Sequence, residues 1–399
     1  MDGRIIERGR VARVRHWGSA VTASPPPPGP WGAQPGPPGF GRPAHGQPPS
    51  GPPPPGYPQQ GPPPPWYPPP LPPNKGGGAK WLILAALVAV VAVAAAVIVV
   101  VLHSNSGANS NGPTNAASDI ASANDKGPVT VITQDPTCSA WQSIDKTLGT
   151  VTDNGWAQRD PSIPASAWTP EQRSHYEAVG QALRTAADKS VALAKLTPHR
   201  VVRELYEQFI AYARSYADHI PTYIPADDEV VRVANSTNSA LVTICDSIYF
   251  GAAAKRGPLV APQAPPTRFA SVGDPADPRR FLTSAASVCA EWVSTSVKFD
   301  DDTATFRSQD FNTPADQWDP AQKVINQAAA STITTFANKA DQLSQRSGNA
   351  VLSDFAALSA QYYRAFVVAV PNYDSADSYL LGVGANAAAT IRTACKAVG

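Results

Sequence analysis

Apolar residues in the C-terminal part of the chain recur at helical spacing. Val201, Val202, Leu205, Phe209, Tyr212, Tyr216 and Ile220 fall on one face, and Val351, Leu352, Phe355, Tyr362, Phe366 and Val370 do the same further on. Strand-like alternation is nearly absent, so the expected fold class is all-α. Four helices are expected in the first of these regions, roughly 138–152, 169–196, 198–220 and 227–249, with four equivalents later. One helix start is written out twice, as Trp168-Thr-Pro-Glu-Gln172 and Trp318-Asp-Pro-Ala-Gln322. Thr169 and Asp319 suit the N-cap, proline suits the first helical position, and Gln172 and Gln322 close a capping box. Trp168 and Trp318 then stand just ahead of the cap and serve as structural elements of the helix entry.

The two regions are copies of one another at an offset of 150 residues, or 151 at the first cysteine and tryptophan. Cys138-Ser-Ala-Trp141 returns as Cys289-Ala-Glu-Trp292. Lys189, Tyr212, Arg214, Pro221, Tyr223 and Asp227 return as Lys339, Tyr362, Arg364, Pro371, Tyr373 and Asp377, and Cys245 returns as Cys395. An internal duplication into two helical repeats, 136–250 and 281–399, follows. Each reads as a four-helix-bundle-like domain. An up-down-up-down bundle puts the start of its first helix beside the end of its fourth, so Cys138–Cys245 and Cys289–Cys395 are the expected disulfides. Residues 251–280 hold six prolines and little apolar pattern, and read as a linker.

Upstream of the copies the pattern changes. Trp81–Leu102 is 22 apolar residues without charge, proline or glycine. At ~1.5 Å per residue it reaches about 33 Å, enough for one transmembrane helix. Residues 1–80 carry eight Lys/Arg against two Asp/Glu, whereas only His103 follows the span before Lys126. The basic flank places the N-terminus in the cytoplasm and residues 103–399 outside the membrane. All four cysteines lie on that outer side, as disulfides require. Residues 103–135, rich in Ser, Asn, Ala and Gly, read as a flexible stalk.

The cytoplasmic arm, residues 1–80, holds 25 of the 43 prolines, all between Pro25 and Pro73. Such a stretch buries too little apolar surface to fold. Residues 1–23 read equally as a short basic helix on anionic lipid or as sequence ahead of a start near Val21. Trp31, Tyr57, Trp66 and Tyr67 interrupt the proline blocks and are candidate docking aromatics. Extended proline-rich segments lose little entropy on entering a groove, and repetition adds avidity, so a cytoplasmic protein partner is expected.

Candidate chemistry changes this picture little. The histidines at 175, 199 and 219 correspond to Ile325, Asn349 and Ala369, so none is shared between the copies. No motif of a hydrolase, metalloprotease or nucleotide-binding loop is present. The acidic runs Asp227–Glu229 and Asp300–Asp302 lack the ligand spacing of a calcium loop. No enzyme, cofactor, metal site or nucleic-acid partner is expected. The recurring Lys189/Lys339 and Arg214/Arg364 read as inter-helix ion pairs with Glu204/Asp354 as partners, or else as the lining of a binding groove.

A Pro/Gly/Trp/Tyr arm, one Ala/Val-rich span, a Ser/Asn stalk and a cysteine-bearing helical ectodomain together resemble the proline-rich, single-pass membrane proteins of mycobacteria and related actinobacteria. That resemblance implies a cell-envelope location and, for its members, suspected roles in envelope growth or signalling. Two functions remain in view. One is a non-enzymatic envelope scaffold coupling the docking arm to the helical pair. The other is an extracytoplasmic receptor binding a small molecule, lipid or peptide between helices, for which a deep pocket in one bundle would speak.

Overall fold

The computed structural model describes residues 119–399 apart from residue 154. The span expected over Trp81–Leu102 and the docking aromatics Trp31, Tyr57, Trp66 and Tyr67 lie outside the described residues. Among those described, no helix is long and apolar enough to cross a membrane, and none belongs to a strand.

Copy one is built from α1 (Cys138–Thr152), α2 (Pro170–Leu196), α3 (Arg200–His219) and α4 (Asp228–Tyr249). A short α5 (Ala252–Arg256) follows. Copy two repeats the plan with α6 (Cys289–Asp302), a one-turn α7 (Ala304–Arg307), α8 (Pro320–Arg346), α9 (Ala350–Ala369) and α10 (Ser378–Ala397). Within each copy successive long helices pack side by side and the first returns to the last. The disulfides Cys138–Cys245 and Cys289–Cys395 close that return, with Cα–Cα distances of 5.2 and 5.3 Å. Repeated bonds hold equivalent corners. Tyr223 Oη donates to the Pro161 carbonyl at 2.7 Å, and Tyr373 Oη donates to the Phe311 carbonyl at 2.6 Å.

The copies are not separate bundles joined by a tether. Helices α4 and α10 lie against each other and run antiparallel: the start of α4, at Glu229, is near Lys396 at the end of α10, while Phe250 at its end stacks on Tyr379 (5.0 Å, 3° between planes). The small residue Gly382 allows this approach, since a Cβ there would stand 3.0 Å from Thr243 Cγ2. One apolar cluster runs through both copies, from Trp141 and Phe209 to Trp292 and Phe355.

Two segments depart from their sequence reading for the same reason. Residues 119–135 were expected to belong to the stalk, yet Ile120, Val129, Val131 and Ile132 are buried. Residues 251–280 were expected to be a linker, yet Ala252 and Ala253 are buried and Gly257 lies beside Val131 and Thr133. Polar, proline-rich composition hid a few apolar residues, and those suffice to lay each segment on the core. The segments leading into the two copies cross over. Ile132, ahead of copy one, exchanges hydrogen bonds with Tyr362 Oη of copy two (3.1 and 3.4 Å). The Leu282 carbonyl, at the start of copy two, accepts from Tyr212 Oη of copy one (3.4 Å). Since 282 is 132 at the duplication offset, the copies meet as a pseudo-two-fold pair within one chain.

Candidate functional site

The repeated tryptophans organise the entry of the longest helices. Thr169 Oγ1 accepts from the Gln172 amide (3.2 Å) while Gln172 Oε1 accepts from the Thr169 amide (2.9 Å), the reciprocal pair of a capping box. Asp319 and Gln322 repeat it at 2.8 and 3.0 Å. Trp168 Nε1 donates to the Ile163 carbonyl and Trp318 Nε1 to the Thr313 carbonyl, both at 2.9 Å. Both indoles are about nine-tenths buried. Trp168 stacks on Tyr176 at 3.9 Å and Tyr223 at 5.3 Å, and Arg173 lies over its ring at 5.7 Å. Trp318 stacks on Tyr373 at 5.5 Å. Trp168→Ala is therefore expected to cost about 3 kcal/mol, at the low end for a buried tryptophan because the site lies at the edge of the core. Thermal unfolding of the variant checks this, and an unchanged midpoint would contradict it.

The recurring cations take partners other than those expected. Arg214 pairs with Asp188 (2.6 Å), Arg364 with Asp341 (2.5 Å) and Lys339 with Glu291 (2.5 Å). Lys189 is exposed. Glu204 and Asp354 do not meet these groups, because they face inward where α3 of one copy approaches α9 of the other. There a buried charge cluster sits near the pseudo-two-fold axis. Arg200 grips Asp354 with Nε–Oδ2 at 2.7 Å and Nη2–Oδ1 at 3.2 Å. Its Nη1 donates to the Asp125 carbonyl (2.7 Å), and its amide donates to Asp125 Oδ2 (2.7 Å). Arg203 donates to Glu207 Oε1 (2.8 Å) and to Ser122 Oγ (3.0 Å), and its nearest approach to Glu204 is 3.7 Å.

Glu204 is wholly buried, and its carboxyl lies against that of Asp354, its counterpart in copy two. Burial pushes its carboxyl well above the ordinary value and the Asp354 charge adds to this, against the pull of Arg203 and Arg200. A carboxyl raised in this way binds its proton more tightly in the folded protein than in the unfolded chain. Its contribution to stability is fully present below the unfolded value and is lost as pH rises through the folded one. Glu204→Gln is expected to raise the unfolding midpoint above neutral pH and leave it little changed near pH 4, flattening the profile between. Unfolding curves collected across that range check it; a wild-type slope in the variant would contradict the assignment.

Copy one also holds a polar aromatic cluster with a cation over it, where copy two packs Phe306 on Phe366 (5.8 Å between centroids). Arg159 pairs with Asp228, donates to the Trp156 carbonyl (3.1 Å) and lies over the Trp156 ring (4.0 Å). Trp156 meets Tyr176 edge-on at 4.9 Å and Tyr216 at 6.3 Å. The Tyr216 hydroxyl has no partner among the described residues, and burial pushes its ionisation far up. At the equivalent places copy two has Phe306, Gln309, Asn326, Phe366 and Ser378. Sequence reasoning missed this cluster and the arginines at 200 and 203. The one available signal was the shared acid Glu204/Asp354 on an otherwise apolar helix face.

Two depressions stand out among the described residues. One of ≈ 290 Å³ is lined by Asp125, Val129, Ile132 and Arg200, and one of ≈ 600 Å³ lies over Pro170, Ser174 and His175. Among the described residues no group of His, Cys, Asp and Glu is arranged to hold a metal ion. The two acidic runs are taken up by cations instead: Asp228 by Arg159 and Arg232, Asp300 by Arg392, and Asp302 by Lys298.

Residues 120–399, the whole duplicated region with its lead-in segment, match the family described as Mycobacterial ESX-1 associated protein. An uncharacterized protein of Mycolicibacterium smegmatis strain MKD8 is 43% identical over 335 residues, covering 82% of this chain and 88% of that protein. This alignment is longer than the family match, so the likeness continues N-terminal of residue 120. No solved structure matches the chain significantly. On the family match and this mycobacterial relative, the chain belongs to the Mycobacterial ESX-1 associated protein family.

Proposed function

We propose that the protein is a single-pass, membrane-anchored, non-enzymatic scaffold of the cell envelope that works with an ESX-1-type secretion system. In this reading the proline-rich arm of residues 1–80 recruits a cytoplasmic partner, Trp81–Leu102 crosses the membrane, and the fused helical pair stands outside it. The observation that carries the reading is the shared core. Both copies pack around one continuous apolar cluster, and each is closed by its own disulfide. A receptor that bound its ligand between helices would need an opening there. The family description supplies the secretion context.

The test has two arms. In a mycobacterium that depends on ESX-1 export, removal of the protein should reduce export while leaving other secretion intact. A chain lacking residues 25–73 should fail to restore it although its ectodomain folds. A reporter fused at residue 20 should be cytoplasmic and one fused after Gly399 extracytoplasmic. Normal export without the protein, or the reverse topology, would overturn the proposal.

A further inference from the structure

Copy two carries on one corner a segment supplied from behind copy one. Helix α5 packs on α9 and α10, with Ala252 and Ala253 buried. Arg256 is bidentate to Asp377 (Nε–Oδ1 2.9 Å, Nη2–Oδ2 2.7 Å) and donates to Asn372 Oδ1 (2.7 Å) and the Asn372 carbonyl (2.9 Å). Lys255 pairs with Asp374 at 2.5 Å. Ala365 and Ala369 of α9 are fully buried.

Among the described residues no such segment covers the same corner of copy one. At the duplication offset, Asp377 becomes Asp227, Asp374 becomes Ile224, and Ala365 and Ala369 become Ser215 and His219. The local backbone is alike: Asp227 Oδ2 accepts from the Ile224 amide at 2.9 Å, as Asp377 Oδ2 accepts from the Asp374 amide at 2.9 Å. The covering is not alike. Asp377 is wholly buried under Arg256, whereas Asp227 meets the half-exposed His219 ring (Oδ1–Nδ1 2.9 Å). Ile224 is 54% exposed, Ala226 is exposed, and Ser215 is only partly covered.

We propose that this corner of copy one is a docking site for a segment of the α5 type carried by a partner protein. The occupant is a short helical turn of small residues ending in arginine. The arginine takes Asp227 as Arg256 takes Asp377, displacing His219. The residue before it is apolar rather than lysine, because the acid that holds Lys255 in copy two is replaced here by the exposed Ile224. The chain's own α5 is engaged on copy two, and the occupant proposed for this corner is a segment of another protein. A planar guanidinium against a carboxylate gives the contact its orientation, and apolar burial over Ile224 gives it area.

The probe is a labelled peptide of residues 251–259 carrying Lys255→Leu, titrated by fluorescence polarisation onto the full-length protein in detergent. In a second format the same segment is fused behind Gly399, the position equivalent to Tyr249, which raises its effective concentration. Saturable binding is expected, with a rise of the unfolding midpoint in the fused format. Asp227→Asn, which keeps a good helix-start residue, should weaken binding about tenfold. Arg256→Ala in the peptide should do the same without altering the protein, and His219→Ala should tighten binding by releasing Asp227. Absence of binding in both formats, or equal binding to Asp227→Asn, would overturn the site. Equal or tighter binding of the unaltered lysine peptide would overturn the stated chemistry of the occupant.

Discussion

Replacing Asp354 by alanine is expected to lower stability by about 3–5 kcal/mol, the cost of breaking a buried ion pair from one side. The reason lies at the junction of the copies. Arg200 is buried to 2% exposure and Asp354 to 1%, and the pair spans 154 residues of sequence to join α3 to α9. Without Asp354 the guanidinium keeps its carbonyl and Asp125 contacts but loses the buried carboxylate that it holds with two nitrogens. The cost is that of a stranded charge rather than the net worth of the pair. The double change Arg200→Met with Asp354→Leu should therefore recover most of the loss. Chemical unfolding of the three variants measures this. A single Asp354→Ala variant as stable as the parent would show that water reaches Arg200.

Removing a disulfide is the second large perturbation. Each bridge closes a loop of just over 100 residues, 107 in copy one and 106 in copy two. On the chain-entropy account a loop of that length contributes roughly 4.7 kcal/mol. Changing Cys138 and Cys245 together to alanine is expected to cost about that much. Because the copies share a core, the loss should appear as one cooperative transition moved to lower denaturant, not as early melting of copy one alone. The matching change at Cys289 and Cys395 should act alike. Two resolved transitions in either variant would show that the copies unfold independently.

Much of the helical architecture was legible because its signals are local. The apolar spacing from Val201 to Ile220 marks α3, and the Trp-x-Pro-x-Gln motif places the start of α2 within a residue. The pairing of cysteines followed from helix order alone. What stayed hidden depends on distant partners. Nothing near Tyr362 announces that its hydroxyl will meet Ile132, 230 residues away. Charged residues such as Arg200 and Arg203 look like solvent-facing positions until the second copy closes over them. The stalk and linker segments look like tether by composition, yet Ile120, Val131, Ala252 and Ala253 lie buried in them. The docking corner on copy one was equally invisible, since it is defined by what copy two holds there and copy one does not.

The central claim, that a membrane-anchored helical pair links cytoplasmic and envelope partners in a secretion setting, is tested most directly by in-cell crosslinking read by mass spectrometry. The intact protein is compared with one lacking residues 25–73. The account predicts crosslinks from lysines of the helical pair to ESX-1 envelope components in both strains. It predicts crosslinks from the arm, through Lys75 and Lys80, to a cytoplasmic protein in the intact strain only. Crosslinks from the helical pair to cytoplasmic proteins, or none to the secretion system in either strain, would contradict it.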